Sequence, residues 1–494
     1  MKKVAVIGSG FSGLAAATTL ADKGFAVTVF EKNSTPGGRA RKFEVNGFMF
    51  DMGPSWYWMP DVFERYFNRF GKSAGDYYEL QRLDPSYRIY YGKDEVWDLP
   101  AGTEALQRFF DQIEPGSGAR LHQFLVEGKY KYDVGINNLV YKPGLSVSEL
   151  FDWKLITGAF RLHVFRSISA YVRAYFRDPK LIQLLEFPVL FLGAAPGKTP
   201  ALYSLMNYAD MALGTWYPKG GMHEIVKAMV SLAEEKGVRF RYDSEVDQLP
   251  VSNRRIDHIR VNGVGEAFDY VVAAADYHHV EQKLLPKEYR RYSENYWQSR
   301  VMAPSSLIFY LGIAKRVKGL LHHNLFFDQD FARHAREIYD HPAWPENPLF
   351  YVCCTSKTDN TVAPVGSENI FILIPVAPGL KDDEHTREKY YDLVMNRMEQ
   401  LTGDDIRTHV VYKRSYAHND FIGDYHAFKG NAYGLANTIL QTANLKPGII
   451  NKNVSNLFYT GQLTVPGPGV PPSLISGQVV AEQIAKQAAT LDVR

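Results

Sequence analysis

The stretch Val6–Ala40, VIGSGFSGLAAATTLADKGFAVTVFEKNSTPGGRA, decides the fold. The apolar run Val4–Ile7 ends at Gly8 and reads as a buried parallel strand. Gly8, Gly10 and Gly13 form GxGxxG. An alanine-rich helix follows over Leu14–Lys23, and Gly24 stops it. Phe25–Phe30 is a second strand, with Glu31 at its end, about 20 residues past the glycines. Each residue type has a reason. Gly8 permits the tight turn, Gly10 lets backbone approach a pyrophosphate, and Gly13 lets helix and strand pack closely. The helix N-terminus offers unpaired N–H groups and the positive end of a dipole. Glu31 accepts from ribose hydroxyls and repels a 2′-phosphate. The reading is an ADP-containing dinucleotide, against the blander alternative of a structural glycine turn.

A second loop, Pro36–Gly37–Gly38–Arg39, follows five residues after Glu31, and GFMFDMGPSW then adds Gly47, Asp51, Gly53, Pro54 and Trp56. A nicotinamide site does not need that second loop. An acid followed by GGR resembles the flavin amine oxidase superfamily, in which this loop lies along the FAD diphosphate; otherwise it is a surface turn with a solvated arginine. Near the C-terminus, NLFYT (Asn456–Thr460) reads as a strand leading into Gly461. The Gly/Pro-rich TVPGPGVP (Thr464–Pro471) then leads to a helix from about Ser473, another exposed N-terminus.

Together with WYPKGGM (Trp216–Met222) and HAFKGNAYGL (His426–Leu435), these segments resemble the bacterial-type carotenoid (phytoene) desaturases, in that family's order along nearly the whole chain. Pro472 and Gln462 depart from the family's more usual glycine and acid. The resemblance implies non-covalent FAD held by Gly8, Gly10, Phe11, Gly13, Glu31, Lys32, Gly38, Arg39, Gly53, Pro54, Val246, Gly461, Gly469, Val470 and Pro471. It implies a substrate cavity shaped by Asp51, Trp56, Thr464 and Pro466. The implied reaction is desaturation of phytoene toward neurosporene or lycopene, by hydride transfer to flavin and proton loss. Alternatives are a later hydroxylated or cyclised carotenoid, a carotenoid isomerase, or an amine or protoporphyrinogen-type oxidase. No motif identifies a catalytic base.

The expected fold class is α/β: a discontinuous Rossmann-like FAD domain (1–100, 200–280, 440–494) and an α+β substrate lobe with a mixed sheet (101–199, 281–439). Met222–Lys236 reads as a helix with Ile225, Met229 and Leu232 on one face. VRFRYDSEV after Gly237 reads as one strand, and FDYVVAAAD (Phe268–Asp276) as a buried strand. SLIFYLGI (Ser306–Ile313) and NIFILIPVAP (Asn369–Pro378) suggest a sheet walling the substrate cavity.

A chain of 494 residues with 46% hydrophobic and 22% charged residues reads as a folded soluble protein of two domains, or of one large domain with an inserted lobe. Its net charge of +2 gives no pull toward nucleic acid. The two cysteines, Cys353 and Cys354, are adjacent, which argues for a reducing compartment and against a metal centre. The histidine pairs His278–His279 and His322–His323 are expected on the surface or in loops. MKKVAVIGSG enters a strand at once, so no signal peptide is expected, nor any transmembrane helix. Trp153–Phe176 interleaves arginine and lysine with aromatics. That pattern suits a helix at a bilayer surface or one packed on the protein with solvated arginine tips. The expected location is cytoplasmic, peripheral to the inner membrane face, with a long apolar isoprenoid as substrate and oxygen or a quinone as electron acceptor.

Overall fold

The computed structural model describes residues 1–146, 162–163, 166–192 and 195–492. The opening apolar run becomes β1 (Lys3–Ile7), whose Val4, Ala5 and Val6 are fully buried. It stands at the centre of a five-stranded parallel sheet because both of its faces are covered. On one side it pairs with β2 (Ala26–Phe30), which pairs with β3 (Arg239–Arg241). On the other it pairs with β4 (Tyr270–Ala273), which pairs with β5 (Leu457–Tyr459). Segments from the start, middle and end of the chain thus share one sheet.

α1 (Phe11–Asp22) packs on the strands of this sheet, and α2 (His223–Glu235) and α3 (Val470–Asp492) pack on α1. The face of α2 formed by Ile225, Met229 and Leu232 is buried completely. Two glycines set the distances. A Cβ on Gly13 would lie 2.0 Å from the Gly8 carbonyl oxygen, and one on Gly477 would lie 2.2 Å from that of Ser12. α1 therefore lies close on its own strand loop, and α3 lies close on α1, only because neither position carries a side chain.

VRFRYDSEV is not one strand. Asp243 adopts φ +49 and breaks it, so Arg239–Arg241 joins the parallel sheet and Val246–Gln248 joins a separate three-stranded antiparallel sheet.

The second lobe is built on a seven-stranded sheet in the order 410–416, 305–313, 368–376, 350–353, 323–326, 87–92 and 95–99. It is mixed: all pairs are antiparallel except 323–326 with 87–92. SLIFYLGI and NIFILIPVAP form its long central pair, Ser305–Ile313 and Glu368–Val376. Strands 87–92 and 95–99 precede the boundary expected near residue 100, yet they hydrogen-bond into this sheet. The lobes are stitched together at the hairpin Lys42–Val45/Phe48–Asp51. Tyr310 Oη donates to the Met52 carbonyl at 2.7 Å, and Asn369 Nδ2 donates to that of Met49 at 2.7 Å. Among the described residues, no helix is long and apolar enough to cross a membrane. Residues 153–161 and 164–165 of the Trp153–Phe176 stretch lie outside the described residues.

Candidate functional site

The carboxyl ends of β1, β2, β4 and β5 open on one cavity of about 370 Å³, where parallel sheets place ligands. The two glycine loops meet at its floor. The Gly37 N–H donates to the Ser9 carbonyl at 3.0 Å, and a Cβ on Gly38 would lie 3.3 Å from Gly10 Cα. Gly10 itself is different: a Cβ there would meet no atom within 4 Å, because it would point into the cavity. The first turns of α1 and α3 both border this space, through Gly10–Ser12 and Gly469–Ser473. α1 brings N–H groups without intrahelical partners; α3 leaves only that of Val470, because Pro471 and Pro472 carry no N–H and the Ser473 N–H donates to the Gly469 carbonyl at 3.0 Å.

Glu31 is buried and its carboxylate is already organised. It accepts from the Ser9 N–H (2.9 Å) and hydroxyl (2.7 Å) and from the Asn33 N–H (3.0 Å) and Nδ2 (2.9 Å). Lys32 Nζ donates to the Gly423 carbonyl at 2.7 Å. His426 Nε2 lies 2.8 Å from Glu245 Oε1, and its ring stacks on His279 at 3.9 Å. Arg39 Nη2 donates to the Asn431 carbonyl at 3.2 Å, while its buried Nε has no hydrogen-bond partner. Burial pushes the Arg39 guanidinium below its ordinary pKa, and Asp276 and Tyr425 partly offset this. A shielded cation with a spare donor, beside two helix N-termini and an open glycine, fits a diphosphate. The residues present fit a flavin dinucleotide.

The remaining lining is apolar and aromatic. Trp56, Trp58 and Phe63 come from the segment after Gly53, and Ser306, Ile308, Tyr351 and Leu373 come from the seven-stranded sheet. The cavity therefore has a polar part rooted in the parallel sheet and a greasy part walled by the second lobe.

Of the residues the sequence singled out, Gly8, Gly10, Phe11, Glu31, Lys32, Gly38, Arg39, Gly53, Pro54, Trp56, Val246, Gly461, Gly469, Val470 and Pro471 line this cavity. Gly13 does not; it sits behind the loop as a packing residue. Asp51, Thr464 and Pro466 do not line it either. Strand alternation turns Asp51 away, and its carboxylate accepts the N–H groups of Met222 (2.8 Å) and His223 (3.0 Å) at the start of α2. Burial raises its pKa to about 6. Thr464 Oγ1 donates to the Pro447 carbonyl at 2.5 Å. The sequence reading missed Ser9, Asn33, Glu245, His426 and Tyr433, all of which border the cavity. Asn33, two residues past the acid, was accessible to sequence reasoning; His426 and Tyr433 sit in HAFKGNAYGL, which carried resemblance but no assigned role.

One histidine pair also differs from expectation. His322 and His323 are core residues, 5% and 0% exposed, because they begin an internal strand of the large sheet. Cys353 and Cys354 are both buried and unbridged.

Residues 11–485 match the model of the flavin containing amine oxidoreductase family. Over 487 residues the chain is 42% identical to a carotenoid 3,4-desaturase of Haloarcula japonica, covering 98% of each. It is 33% identical to a zeta-carotene-forming phytoene desaturase of Myxococcus xanthus, covering 98% of this chain and 94% of that one. It is 30% identical to a 4,4'-diapophytoene desaturase of Staphylococcus aureus, covering 98% and 99%. The fold is also that of an oxidoreductase from Methanosarcina mazei (TM-score 0.62, 16% identity, 97% and 100% covered) and of a putrescine oxidase triple mutant (0.60, 12%, 98% and 99%).

Proposed function

The chain belongs to the flavin-containing amine oxidoreductases and, within them, to the carotenoid desaturases, and from that premise we propose that it is an FAD-dependent enzyme that removes two hydrogens from a CH₂–CH₂ unit of a carotenoid. The observation that carries this is the 42% identity to a carotenoid 3,4-desaturase over 98% of both chains.

FAD, when bound, supplies the hydride acceptor. Gly8, Gly10 and the start of α1 would seat its diphosphate, and Arg39 adds positive charge beside them. Glu31 would accept from the adenosine ribose hydroxyls. The start of α3, through the Val470 N–H and the positive end of its dipole, would face a second polar edge. Trp56, Trp58, Phe63, Ile308, Tyr351 and Leu373 are the surface on which a hydrocarbon would lie. An uncharged chain offers no ion pair, so shape and apolar contact must orient it. These walls exclude water, which would otherwise capture the allylic cation left by hydride loss. The aromatic faces favour positive charge near them.

Two substrate readings follow. Phytoene is the substrate that the family resemblance implies, although the glycine and TVPGPGVP motifs do not separate it from a later carotenoid. The higher identity to the 3,4-desaturase than to the phytoene desaturase, 42% against 33%, favours a later carotenoid. The basic–aromatic stretch Trp153–Phe176 supports collection of substrate at the cytoplasmic membrane face, with oxygen or a quinone reoxidising the flavin. The test is expression in two hosts, one accumulating phytoene and one accumulating lycopene and its hydroxylated derivatives, with pigments analysed by mass. Loss of hydrogen pairs in the first host supports phytoene, and in the second alone the later carotenoid. A changed retention time at constant mass indicates isomerisation and refutes the reading, as do unaltered pigments in both hosts.

A further inference from the structure

Separate from the dinucleotide cavity, the described residues contain a compact group of metal-binding side chains: His322, His323 and Cys353. His323 and Cys353 are direct partners across the antiparallel strands 323–326 and 350–353. Opposed residues send their side chains to the same face of a sheet. His322 immediately precedes that strand. One ligating atom from each of the three lies within 4.8 Å of the others. All three are at least nine-tenths buried.

Both imidazoles are fixed through Nδ1. His322 Nδ1 lies 2.8 Å from Thr358 Oγ1, and His323 Nδ1 lies 2.6 Å from Tyr351 Oη. Each ring therefore has Nε2 left over, and neither Nε2 has a hydrogen-bond partner. A single buried polar atom without a partner costs about 1–3 kcal/mol. Two in adjacent residues, beside a buried thiol, leave room for an occupant that both nitrogens could serve. A ring fixed through one nitrogen, with the other open, is how metal-bound histidine is arranged. Burial drives both imidazoles far below their ordinary pKa, so their lone pairs are not protonated. The Cys353 thiol is pushed up to about 12 by the same cause, so the empty site holds a thiol.

We propose that His322, His323 and Cys353 form a binding site for one soft monovalent cation, Cu⁺. Three donors come together, and among the described residues no further His, Cys, Asp or Glu joins them. Asp51 shares a small void with Cys353, but both of its oxygens accept backbone N–H groups. Zn²⁺ takes four ligands in structural sites, whereas thiolate with imidazole in a three-donor set suits Cu⁺. Charge decides in the same direction. Two neutral imidazoles, one thiolate and Cu⁺ sum to zero, whereas a divalent ion leaves a net positive charge in a dry core. On binding, the S–H bond breaks, its proton leaves to solvent and an S–Cu bond forms, with copper staying in the +1 state. The ion would brace the substrate wall. Trp56 stacks on His323 with centroids 4.1 Å apart and planes at 10°, and both Trp56 and Tyr351 line the main cavity. Ser55 borders both that cavity and the void beside Cys353, which gives an entry path.

The test is anaerobic titration of the reduced holo-flavoprotein with Cu⁺ against a colorimetric Cu⁺ chelator, with Zn²⁺ titrated in parallel. One equivalent of Cu⁺ is expected. Cys353→Ser and His323→Gln should each weaken it by roughly 100-fold or more, while Cys354→Ser, at a neighbouring and equally buried thiol, leaves it unchanged. Flavin absorbance of each variant reports whether it folds. X-ray absorption at the copper edge of the wild-type complex, which needs no variant, should show one sulfur and two nitrogen neighbours. A sulfur-free copper shell, retention of Cu⁺ by Cys353→Ser, dependence on Cys354, tighter binding of Zn²⁺, or no binding at all would each overturn the proposal.

Discussion

Gly10→Ala separates cofactor binding from folding. Gly10 has φ −71° and ψ 175°, a conformation alanine adopts without strain. The new methyl meets no protein atom within 4 Å. Alanine is a poorer residue than glycine at a helix N-cap by a few tenths of a kcal/mol to about 1 kcal/mol. It also restricts the unfolded chain, which stabilises by about 0.4–1 kcal/mol. The two effects offset, so the apo-protein should keep its Tm within about 2 °C, given a shift of ~2–4 °C per kcal/mol for large domains. The methyl instead occupies the space between the glycine loop and a bound diphosphate. Forcing a methyl into a filled site costs ~1–3 kcal/mol, which weakens FAD binding roughly 5- to 150-fold. The assay is paired: calorimetry of the apo-protein, and FAD titration followed by flavin fluorescence. Full FAD affinity in Gly10→Ala would remove the diphosphate from this loop. A large fall in apo Tm would show that the position is structural.

Three further outcomes follow from neighbouring geometry. Gly477→Ala, whose Cβ would lie 2.2 Å from the Ser12 oxygen, should lower apo stability by about 2 kcal/mol or more, since backbone cannot yield as a side-chain tip can; an unchanged melting curve would contradict the close packing of α3 on α1. Glu31→Arg breaks four hydrogen bonds to Ser9 and Asn33 and should release FAD on gel filtration; undiminished flavin content would count against the ribose assignment. Lys446 is buried with no partner for Nζ, and burial lowers its pKa to about 7. The unfolded chain then binds more protons between that value and the ordinary one near 10.5, so stability rises with pH across this window. Lys446→Met should stabilise the protein more at pH 6 than at pH 9, by roughly 2–3 kcal/mol, and an equal gain at both would show that the amine keeps its charge in the fold.

The parallel sheet was readable because its signals are local. Gly8, Gly10 and Glu31 lie within one strand–helix–strand unit, and each residue type answers to a single backbone requirement. The same holds for the Gly/Pro crowding before α3, where an unusual composition marks a helix start. Where the reading went astray, a local rule met a distant partner. VRFRYDSEV carries a plausible strand pattern, but Asp243 in the left-handed region hands its two halves to different sheets. Asp51 looked like a cavity residue from its neighbours in FDMGPSW, yet its orientation is set by pairing with Lys42 and by the N–H groups of α2, 171 residues away.

The two parts of the cavity differ in the same way, with a consequence for how such an enzyme selects its substrate. The polar part is assembled from backbone and from residues close in sequence, so it changes only when the fold changes. The greasy part brings Trp56 and Phe63 against Ile308, Tyr351 and Leu373, contributed by strands that meet only through the seven-stranded sheet. No spacing rule marks those positions, and Phe63, Ile308 and Leu373 can each exchange one apolar side chain for another at a cost below about 1.5 kcal/mol when volume is kept. A shift from one carotenoid to another can therefore accumulate along the second lobe while the glycine loops stay as they are. His323 lies directly behind this wall, stacked on Trp56, so an ion at His322, His323 and Cys353 would tie the most exchangeable surface of the site to the least exchangeable part of its core.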